Sequence, residues 1–276
     1  MQTFNLARLA AAKTRRASVT LPPIVDSGGA QKEYLRAERA MLRALAARTM
    51  SDVVPQVEAE IARQRSALTQ DALFSGMFET LKDLAVTLGI IAEGTVSRIL
   101  GLEAGRHTEK WKASVRSTLG IDIAAVVSQE DLGDKLQDAV GRNASLIKSL
   151  ASDTVAKVER AAYDAVLQGQ TAKQFRERLT EEFGVADRRA KVIARDQVAK
   201  LTSDLNRFRH VQAGVTSYAW STSHDERVRA RHKALEGKEY EYGKPTDAEN
   251  GLPPGQPIQC RCVARGIVYF DGERFD

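Results

Sequence analysis

The sequence predicts an α+β fold that is predominantly α, with a long helical N-terminal region followed by a small mixed α/β C-terminal module. Aromatic residues make up only 6% of the chain, and alanine and leucine are frequent, as is typical of helix-rich proteins. Between residues 74 and 91 apolar residues recur every three or four positions, whereas after Gly214 they alternate with a period of two. This change of period places the start of the C-terminal module near residue 213.

Residues 1–30 are predicted to form an extended basic N-terminal arm. The pair Pro22-Pro23 disfavours a helix, and the pair Gly28-Gly29 is flexible. Basic residues precede Asp26, the first acidic residue, as they also do in mitochondrial transit peptides. We favour a mobile arm, because terminal basic segments of this kind need no fixed structure.

The region 31–104 is predicted to be helical and to bind a partner. Its clearest apolar stripe comprises Phe74, Met77, Phe78, Leu81, Leu84, Ala85, Leu88 and Ile91. Helical spacing places these residues on one face, which predicts a core or a seam against a partner helix. Gly101 and Gly105 are predicted to break the helix that follows.

The region 105–212 is predicted to contain several shorter helices. Their expected ranges are 108–119, 132–140, 143–167, 172–183 and 187–212. Gly169 and Gly184 are expected to end two of them. Thr171 with Gln174 matches a capping box, and Asp187 is expected to cap the last helix.

The region 213–276 is predicted to be a small α+β module that contains the Cys-Arg-Cys strand. Alternating patterns predict strands at 215–220 and 263–270, with a small strand at 240–242. A short helix or turn is expected at 228–235, and the segment 245–257 is expected to be a loop.

Composition excludes several classes of protein. The two cysteines, Cys260 and Cys262, are too few and too close together for a secreted disulfide scaffold, and they fit a reducing compartment. No apolar run reaches the ~20 residues of a membrane span, so no membrane partner is expected. The net charge of +5 fits an anionic partner.

Basic residues are concentrated between residues 171 and 233, where the net positive charge exceeds that of the whole chain. Arg188, Lys191 and Arg195 fall on one helical face. With Arg227 and Arg229 they are the candidates for contact with double-stranded DNA of any sequence, through its phosphates. The alternative is a solvated face whose arginines pair with neighbouring acids.

His224, His232, Cys260 and Cys262 are candidate ligands for a four-ligand zinc site. The alternative needs no cofactor, since His232 and the cysteines can be buried packing groups that tie the last strand to a helix. The spacing of the cysteines differs from the Cys-x-x-Cys arrangement of redox enzymes.

An ordered string of motifs runs through the C-terminal half. In chain order its main parts are Gly214-Val215, Tyr218-Ala219-Trp220, Asp225-Glu226-Arg227-Val228-Arg229, His232, Leu235, Gly237-Lys238, Pro253-Pro254-Gly255 and Cys260-Arg261-Cys262. Over residues 105–268 this string resembles the Mu F-like head-morphogenesis family of tailed phages and prophages. If the resemblance holds, the strand, the cationic turn and the Cys-Arg-Cys segment should pack together.

The resemblance implies a minor head protein, also called a minor capsid protein, that is not an enzyme. It implies action in head assembly at the portal vertex and in DNA packaging or ejection. The implied partners are the portal protein and major capsid or scaffold proteins, with residues 31–104 as the portal-binding or partner-binding region. The implied location is the virion, in the capsid interior or at the portal vertex, with the host cytoplasm during assembly. Some relatives have a cysteine pair near residues 229–232 and a histidine before the Cys-Arg-Cys run; Arg229 and Gln256 replace such ligands here, which counts against zinc.

An enzyme remains the alternative. Ser221-Thr222-Ser223, Glu239-Tyr240-Glu241 and Arg195 are similar to elements of mono-ADP-ribosyltransferases. In those enzymes several strands separate the two motifs, whereas a charged helical turn is expected between them here. A nuclease is disfavoured, because the adjacent residues Asp225 and Glu226 would point apart rather than share metal ions.

Overall fold

The computed structural model describes residues 3–13, 16–64, 75–128 and 130–270. Its helices are α1 (Leu6–Ala10), α2 (Gly28–Arg48), α3 (Val54–Gln64), α4 (Ser75–Leu119), α5 (Gly133–Leu167), α6 (Ala172–Gln212) and α7 (Ala230–Lys233). The strands are β1 (Ser18–Thr20), β2 (Ser217–Ser221), β3 (Glu239–Glu241) and β4 (Val263–Tyr269). The predicted fold class, predominantly α with a small C-terminal sheet, is confirmed.

The chain forms two compact units that are each assembled from separate segments. The first unit comprises residues 1–30, 99–139 and 195–276, and the second comprises 31–98 and 140–194. This division differs from the four consecutive segments expected from the sequence. The reason is that α4, α5 and α6 are long enough to contribute residues to both units.

The predicted extended arm is wrong for the described part of residues 1–30. Asn5 caps α1 by accepting a hydrogen bond from the Arg8 backbone N–H at 3.0 Å. β1 pairs with β4 in an antiparallel register that places Val19 opposite Val268. The buried side chain of Leu6 belongs to the core of the first unit, so apolar burial and strand pairing hold a segment whose charge suggested mobility.

Two predicted helix breaks are absent. α4 continues through Gly101 and Gly105, and α6 continues through Gly184, so Asp187 lies inside a helix rather than at its N-cap. A glycine inside a helix costs only about 1 kcal/mol relative to alanine, and burial of the neighbouring apolar residues offsets that cost. The predicted boundary within α5 at residues 140–143 is likewise absent.

The predicted junction between α5 and α6 is confirmed. Gly169 adopts a positive φ of 63° two residues after α5 ends. The Thr171 backbone N–H donates to the Gln174 side chain at 2.9 Å, and the Gln174 N–H donates to the Thr171 hydroxyl at 3.3 Å. This reciprocal pair is a capping box.

The four strands form one antiparallel sheet in the order β1-β4-β2-β3. β2 lies between β3 and β4, with Tyr218 opposite both Tyr240 and Gly266. All three predicted strands of the module are therefore present, and β1 adds a fourth from the N-terminal segment.

The first unit has an apolar core and a buried arginine. Trp111 of α4 and Val215 are among the core residues. Arg209 is fully buried; its guanidinium donates to the Ser128 carbonyl at 2.6 Å and lies 3.4 Å from the carboxylate of Asp131. These bonds tie α6 to the turn before α5.

In the second unit, side-chain hydrogen bonds join α2 to α5 and to α6. Tyr34 donates its hydroxyl to Asn143 at 2.5 Å, and Arg39 forms a two-bond ion pair with Asp187. The predicted apolar stripe is partly buried: Phe78, Leu81 and Ala85 are in the interior, but Ile91 is exposed. Phe74 of that stripe lies outside the described residues.

α4 has the length and composition of a membrane-spanning helix, with a window of mean hydropathy 1.4 within Gly76–Leu119. A third of that window is buried inside the protein. Core helices of globular proteins share these properties, and Phe78 and Trp111 of α4 are fully buried here.

Candidate metal centre

Three potential metal ligands converge in the C-terminal module. His232 Nδ1 lies 3.5 Å from Cys260 Sγ and 3.6 Å from Cys262 Sγ. The three ligand atoms lie within 4.8 Å of one another, and all three residues are buried. Imidazole nitrogen and thiolate sulfur are the ligands that zinc prefers.

Local backbone geometry brings the two sulfurs to the same side. Gln259 adopts a positive φ of 56°, and the Cys260 N–H donates to the Pro257 carbonyl at 2.9 Å. The Cys262 N–H then points at Cys260 Sγ at 3.4 Å. β4 begins directly after this turn, so the strand anchors both cysteines.

Glu249 orients the imidazole. His232 Nε2 lies 2.6 Å from a carboxylate oxygen of Glu249, and this hydrogen bond holds the pKa of Glu249 below its usual value. With Nε2 engaged by the carboxylate, Nδ1 is the nitrogen that faces the sulfurs. A carboxylate behind a histidine in this way is common at metal sites, where it fixes the tautomer of the ring.

The surroundings favour a thiolate at Cys260. The hydrogen bond from the Cys262 thiol, helped by the Cys262 backbone N–H, lowers the pKa of Cys260 to about 6. The same bond, with burial, raises the pKa of Cys262, so Cys262 is the thiol that donates. A thiolate is the form of cysteine that binds metal ions.

An apolar shell encloses the far side of the centre. Trp220, Leu235 and Ala248 are buried against the two cysteines. The rings of Trp220 and His232 meet edge to face, with centroids 5.4 Å apart.

A cavity of about 260 Å³ opens beside the ligands. It is lined by Arg195, Ser223, Arg227, Val228, Arg229, His232, Ile258, Gln259, Cys260, Arg261 and Cys262. Arg261 forms a two-bond ion pair with Asp225, and Arg229 donates to the Ile258 carbonyl at 2.5 Å. Among the described residues Arg195 and Arg227 form no ion pair, so the cavity carries uncompensated positive charge.

The comparisons with known proteins concern this same part of the chain. Residues 156–265 match the family described as Phage Mu protein F like protein. These residues are similar to the phage Mu protein F-like family, and the match covers less than half of the chain. The resemblance stated from the motif string is thereby confirmed, although the match begins at residue 156 rather than 105.

A protein of Haemophilus influenzae is similar to this chain. This protein, described as uncharacterized, is 34% identical over 175 residues, which are 63% of the present chain. The chain spans only 38% of that relative's length. No solved structure matches the chain.

The pieces of the Mu F-like string pack together as expected. Trp220 of β2, Leu235 after α7 and the two cysteines form one buried cluster. α7 carries His232 between them, with Arg231 and Lys233 in the same short helix. The strand, the cationic turn and the Cys-Arg-Cys segment are thus a single packed unit.

The predicted fourth zinc ligand does not join the cluster. His224 is exposed and has a positive φ of 53°, and its Nε2 lies 3.7 Å from a carboxylate oxygen of Glu236. The structure brings together His232, Cys260 and Cys262 only. His224 lies at an exposed position in the irregular segment after β2, which the sequence spacing did not reveal.

The five predicted DNA-contact residues do not all belong to one unit. Arg195, Arg227 and Arg229 line the cavity of the first unit. Arg188 and Lys191 lie on exposed positions of α6 in the second unit. Neither forms an ion pair among the described residues. Several other arginines of this basic region are neutralised, as in the pairs Arg176–Glu58, Arg178–Asp164 and Arg189–Asp153.

Asp225 and Glu236 both accept hydrogen bonds from backbone N–H groups near the cavity. Asp225 caps the turn before Val228, accepting from the Arg227 N–H at 3.0 Å. Glu236 accepts from the Thr222 N–H at 2.6 Å. Arg229 lies 3.5 Å from Glu249.

The two elements similar to ADP-ribosyltransferase motifs lie on neighbouring strands. Ser221 ends β2, and Glu239 pairs with Ala219 across the β2–β3 ladder. Ser221 is buried, and Glu241 forms an ion pair with Lys244 at 2.6 Å. The expected helical turn, α7, lies between the two elements along the chain.

Sequence reasoning did not identify Glu249 and Arg261 as parts of this site. Glu249 lies within the Pro/Gly-rich segment that was predicted only as a loop. Arg261 is the middle residue of the Cys-Arg-Cys run, and its position in the sequence indicates no role. A carboxylate 17 residues after His232 forms no recognisable spacing, so only the folded loop reveals it.

Proposed function

We propose that this chain acts as a minor head protein of a tailed phage or prophage, in head assembly at the portal vertex and in DNA packaging or ejection. The observation that carries the proposal is the family match over residues 156–265. Packing of the motif string into one module supports it, because the motifs then mark a folded unit rather than a chance series.

The proposed partners are the portal protein and the major capsid or scaffold proteins. Exposed apolar side chains on α4, Val86, Ile90 and Ile91, are each at least 60% exposed and support a partner-binding role for the helical region. Apolar side chains grouped on one helix usually mark a surface that a partner covers. The proposed location is the capsid interior or the portal vertex.

Non-specific contact with double-stranded DNA is the second part of the proposal. Within the described part of the chain Arg195 and Arg227 line the same cavity without acidic partners, and Arg229, which lies 3.5 Å from Glu249, also lines it. Guanidinium groups arranged in this way neutralise phosphates irrespective of base sequence. Arg188 and Lys191 offer a separate cationic patch in the second unit.

Fluorescence anisotropy with random-sequence duplexes tests the DNA contact. Binding is expected to weaken steeply with salt, and Arg195→Gln and Arg227→Gln are each expected to reduce the salt slope by about 1. Arg176→Gln is the matched control, since Glu58 already holds that guanidinium. Affinity that is unchanged between low and moderate salt would refute phosphate contact.

Analysis of particles tests the assignment to the head. We expect the protein in purified DNA-filled heads at a few copies per particle, and we expect it to co-purify with the portal. Deletion of its coding sequence should lower the yield of infectious particles. Absence of the protein from heads at every stage of assembly would refute the proposed function.

A further inference from the structure

We propose that His232 Nδ1, Cys260 Sγ and Cys262 Sγ bind one Zn²⁺ ion whose fourth coordination position opens into the arginine-lined cavity. The site differs from the four-ligand site predicted from sequence, because it omits His224. It is independent of the proposed function and holds whether or not the chain binds DNA or a portal.

The distances between the ligand atoms fit a tetrahedral ion. With Zn–S bonds of about 2.3 Å and Zn–N bonds of about 2.0–2.1 Å, tetrahedral angles place nitrogen and sulfur about 3.5–3.6 Å apart. The structure has His232 Nδ1 at 3.5 Å from one sulfur and 3.6 Å from the other. The three side chains are thus already spaced for an ion between them.

Hydrogen bonding alone explains this arrangement less well. A neutral imidazole has a single acceptor nitrogen with one lone pair, and Nδ1 of His232 faces two thiols at nearly equal distances. The Cys262 thiol already donates to Cys260, so hydrogen bonding leaves the 3.6 Å approach of the Cys262 sulfur to Nδ1 without an explanation. An ion bound by all three atoms satisfies both sulfurs and the nitrogen together.

The charges of the ligands suit a divalent ion. Two thiolates that bind one Zn²⁺ bring two negative charges, and the ion neutralises both of them inside the apolar shell. Glu249 completes the arrangement by holding His232 through Nε2, as carboxylates do behind zinc-bound histidines.

The fourth position faces the cavity. Among the described residues the cluster holds three ligands and no fourth histidine, cysteine or carboxylate. Three protein ligands with one open position leave room for water or an anion. Because Arg195 and Arg227 line this cavity, we expect an anion such as inorganic phosphate to compete with water there.

Elemental analysis of the full chain, purified and dialysed under reducing conditions, tests the ion. We expect one zinc per chain in the wild type, retained in His224→Ala and lost in His232→Ala, Cys260→Ser and Cys262→Ser. Glu249→Gln should weaken zinc binding by about 10-fold or more in a competition titration. Circular dichroism of each variant shows whether its helices remain, and the comparison of His224→Ala with His232→Ala is the matched pair.

Cobalt substitution of the wild-type chain provides a test that needs no variant. Co²⁺ in the site should give the strong visible bands of a tetrahedral ion and sulfur-to-metal charge transfer, and added phosphate should shift the visible bands. A wild-type chain that binds neither zinc nor cobalt overturns the proposal. Zinc loss in His224→Ala overturns the three-ligand set, and bands indifferent to phosphate overturn the anion-accessible fourth position.

Discussion

The imidazole of His210 packs directly against Gly266 of β4. A Cβ atom added at Gly266 would lie only 2.9 Å from ring atoms of His210. His210 is held there by Tyr242, whose hydroxyl lies 2.5 Å from Nδ1. Burial lowers the pKa of His210 to about 3, so the ring is neutral across the physiological range. The absence of a side chain at position 266 allows α6 to approach the sheet.

Gly266→Ala is therefore expected to destabilise the protein by about 1–3 kcal/mol, because the rigid ring and the strand cannot both move aside. Urea unfolding measures the effect. Gly101→Ala is the control within the same unit, since the nearest atom is 4.0 Å away in the middle of α4. It should be neutral or stabilising by up to about 1 kcal/mol; equal effects of the two substitutions would contradict the close approach.

The carboxyl group of Glu38 is buried without a hydrogen-bond partner among the described residues. Desolvation raises its pKa from 4.5 to about 9. The unfolded chain thus releases this proton near pH 4.5 while the folded chain retains it, so folding stability should fall as the pH rises between these values.

Glu38→Gln should remove this dependence and raise the melting temperature at pH 7 to 8, with little change at pH 4. Thermal unfolding followed by circular dichroism across pH 4 to 9 checks it. Glu33→Gln, on the same helix at an exposed position, is the control. Parallel pH profiles for the wild type and Glu38→Gln would show that the carboxyl group is ionised in the folded protein.

The substitution Asp187→Asn distinguishes two roles of Asp187 in α6. If Asp187 were an N-cap, asparagine could replace it, because asparagine caps equally well. If Asp187 acts as the ion-pair partner of Arg39, at 2.6 and 2.8 Å, asparagine cannot replace it, because the pair needs the negative charge. Asp187→Asn should cost about 0.2–1 kcal/mol, a modest amount because both side chains are about 40% exposed.

The cost of Asp187→Asn should vanish when Arg39→Gln is already present, and it should shrink at high salt. A double-mutant cycle by urea unfolding measures this coupling. Additive effects of the two substitutions would leave the ion pair without energetic importance.

Arg209 is the buried cation of the first unit, and Asp131 is its acidic partner. Burial alone would raise the pKa of Asp131, but hydrogen bonds from Gln212 and the Ser128 N–H, together with the charge of Arg209, hold it below the usual value. Stability contributed by this carboxylate is present above about pH 4 and is lost as the pH falls through the lowered pKa.

Arg209→Met should cost about 3–5 kcal/mol, because it leaves the partners of a buried ion without a donor. Arg207→Met, two residues away at an exposed position, should cost less than about 0.5 kcal/mol. Differential scanning calorimetry compares them. Similar melting temperatures for the two variants would show that the buried network contributes little.

Local patterns in the sequence were sufficient wherever neighbouring residues decide the structure. The capping box of Thr171 and Gln174 depends on residues three apart. Gly169 ends α5 because it can adopt a positive φ, and the strands of the module follow from a period of two. The family resemblance likewise depends on an ordered string of short motifs, and the comparison confirmed it.

Only the tertiary structure decided the features that depend on residues far apart in the chain. Gly101 and Gly184 interrupt the local helical pattern, yet α4 and α6 continue because burial of their apolar faces outweighs a small propensity cost. β1 lies far from β4 in sequence, so no local pattern could join them. His232, Cys260, Cys262 and Glu249 come together by the same long-range packing. His224 is not part of the cluster, because it lies at an exposed position after β2. Sequence determined which side chains were available for a metal centre, and folding determined which three of them meet.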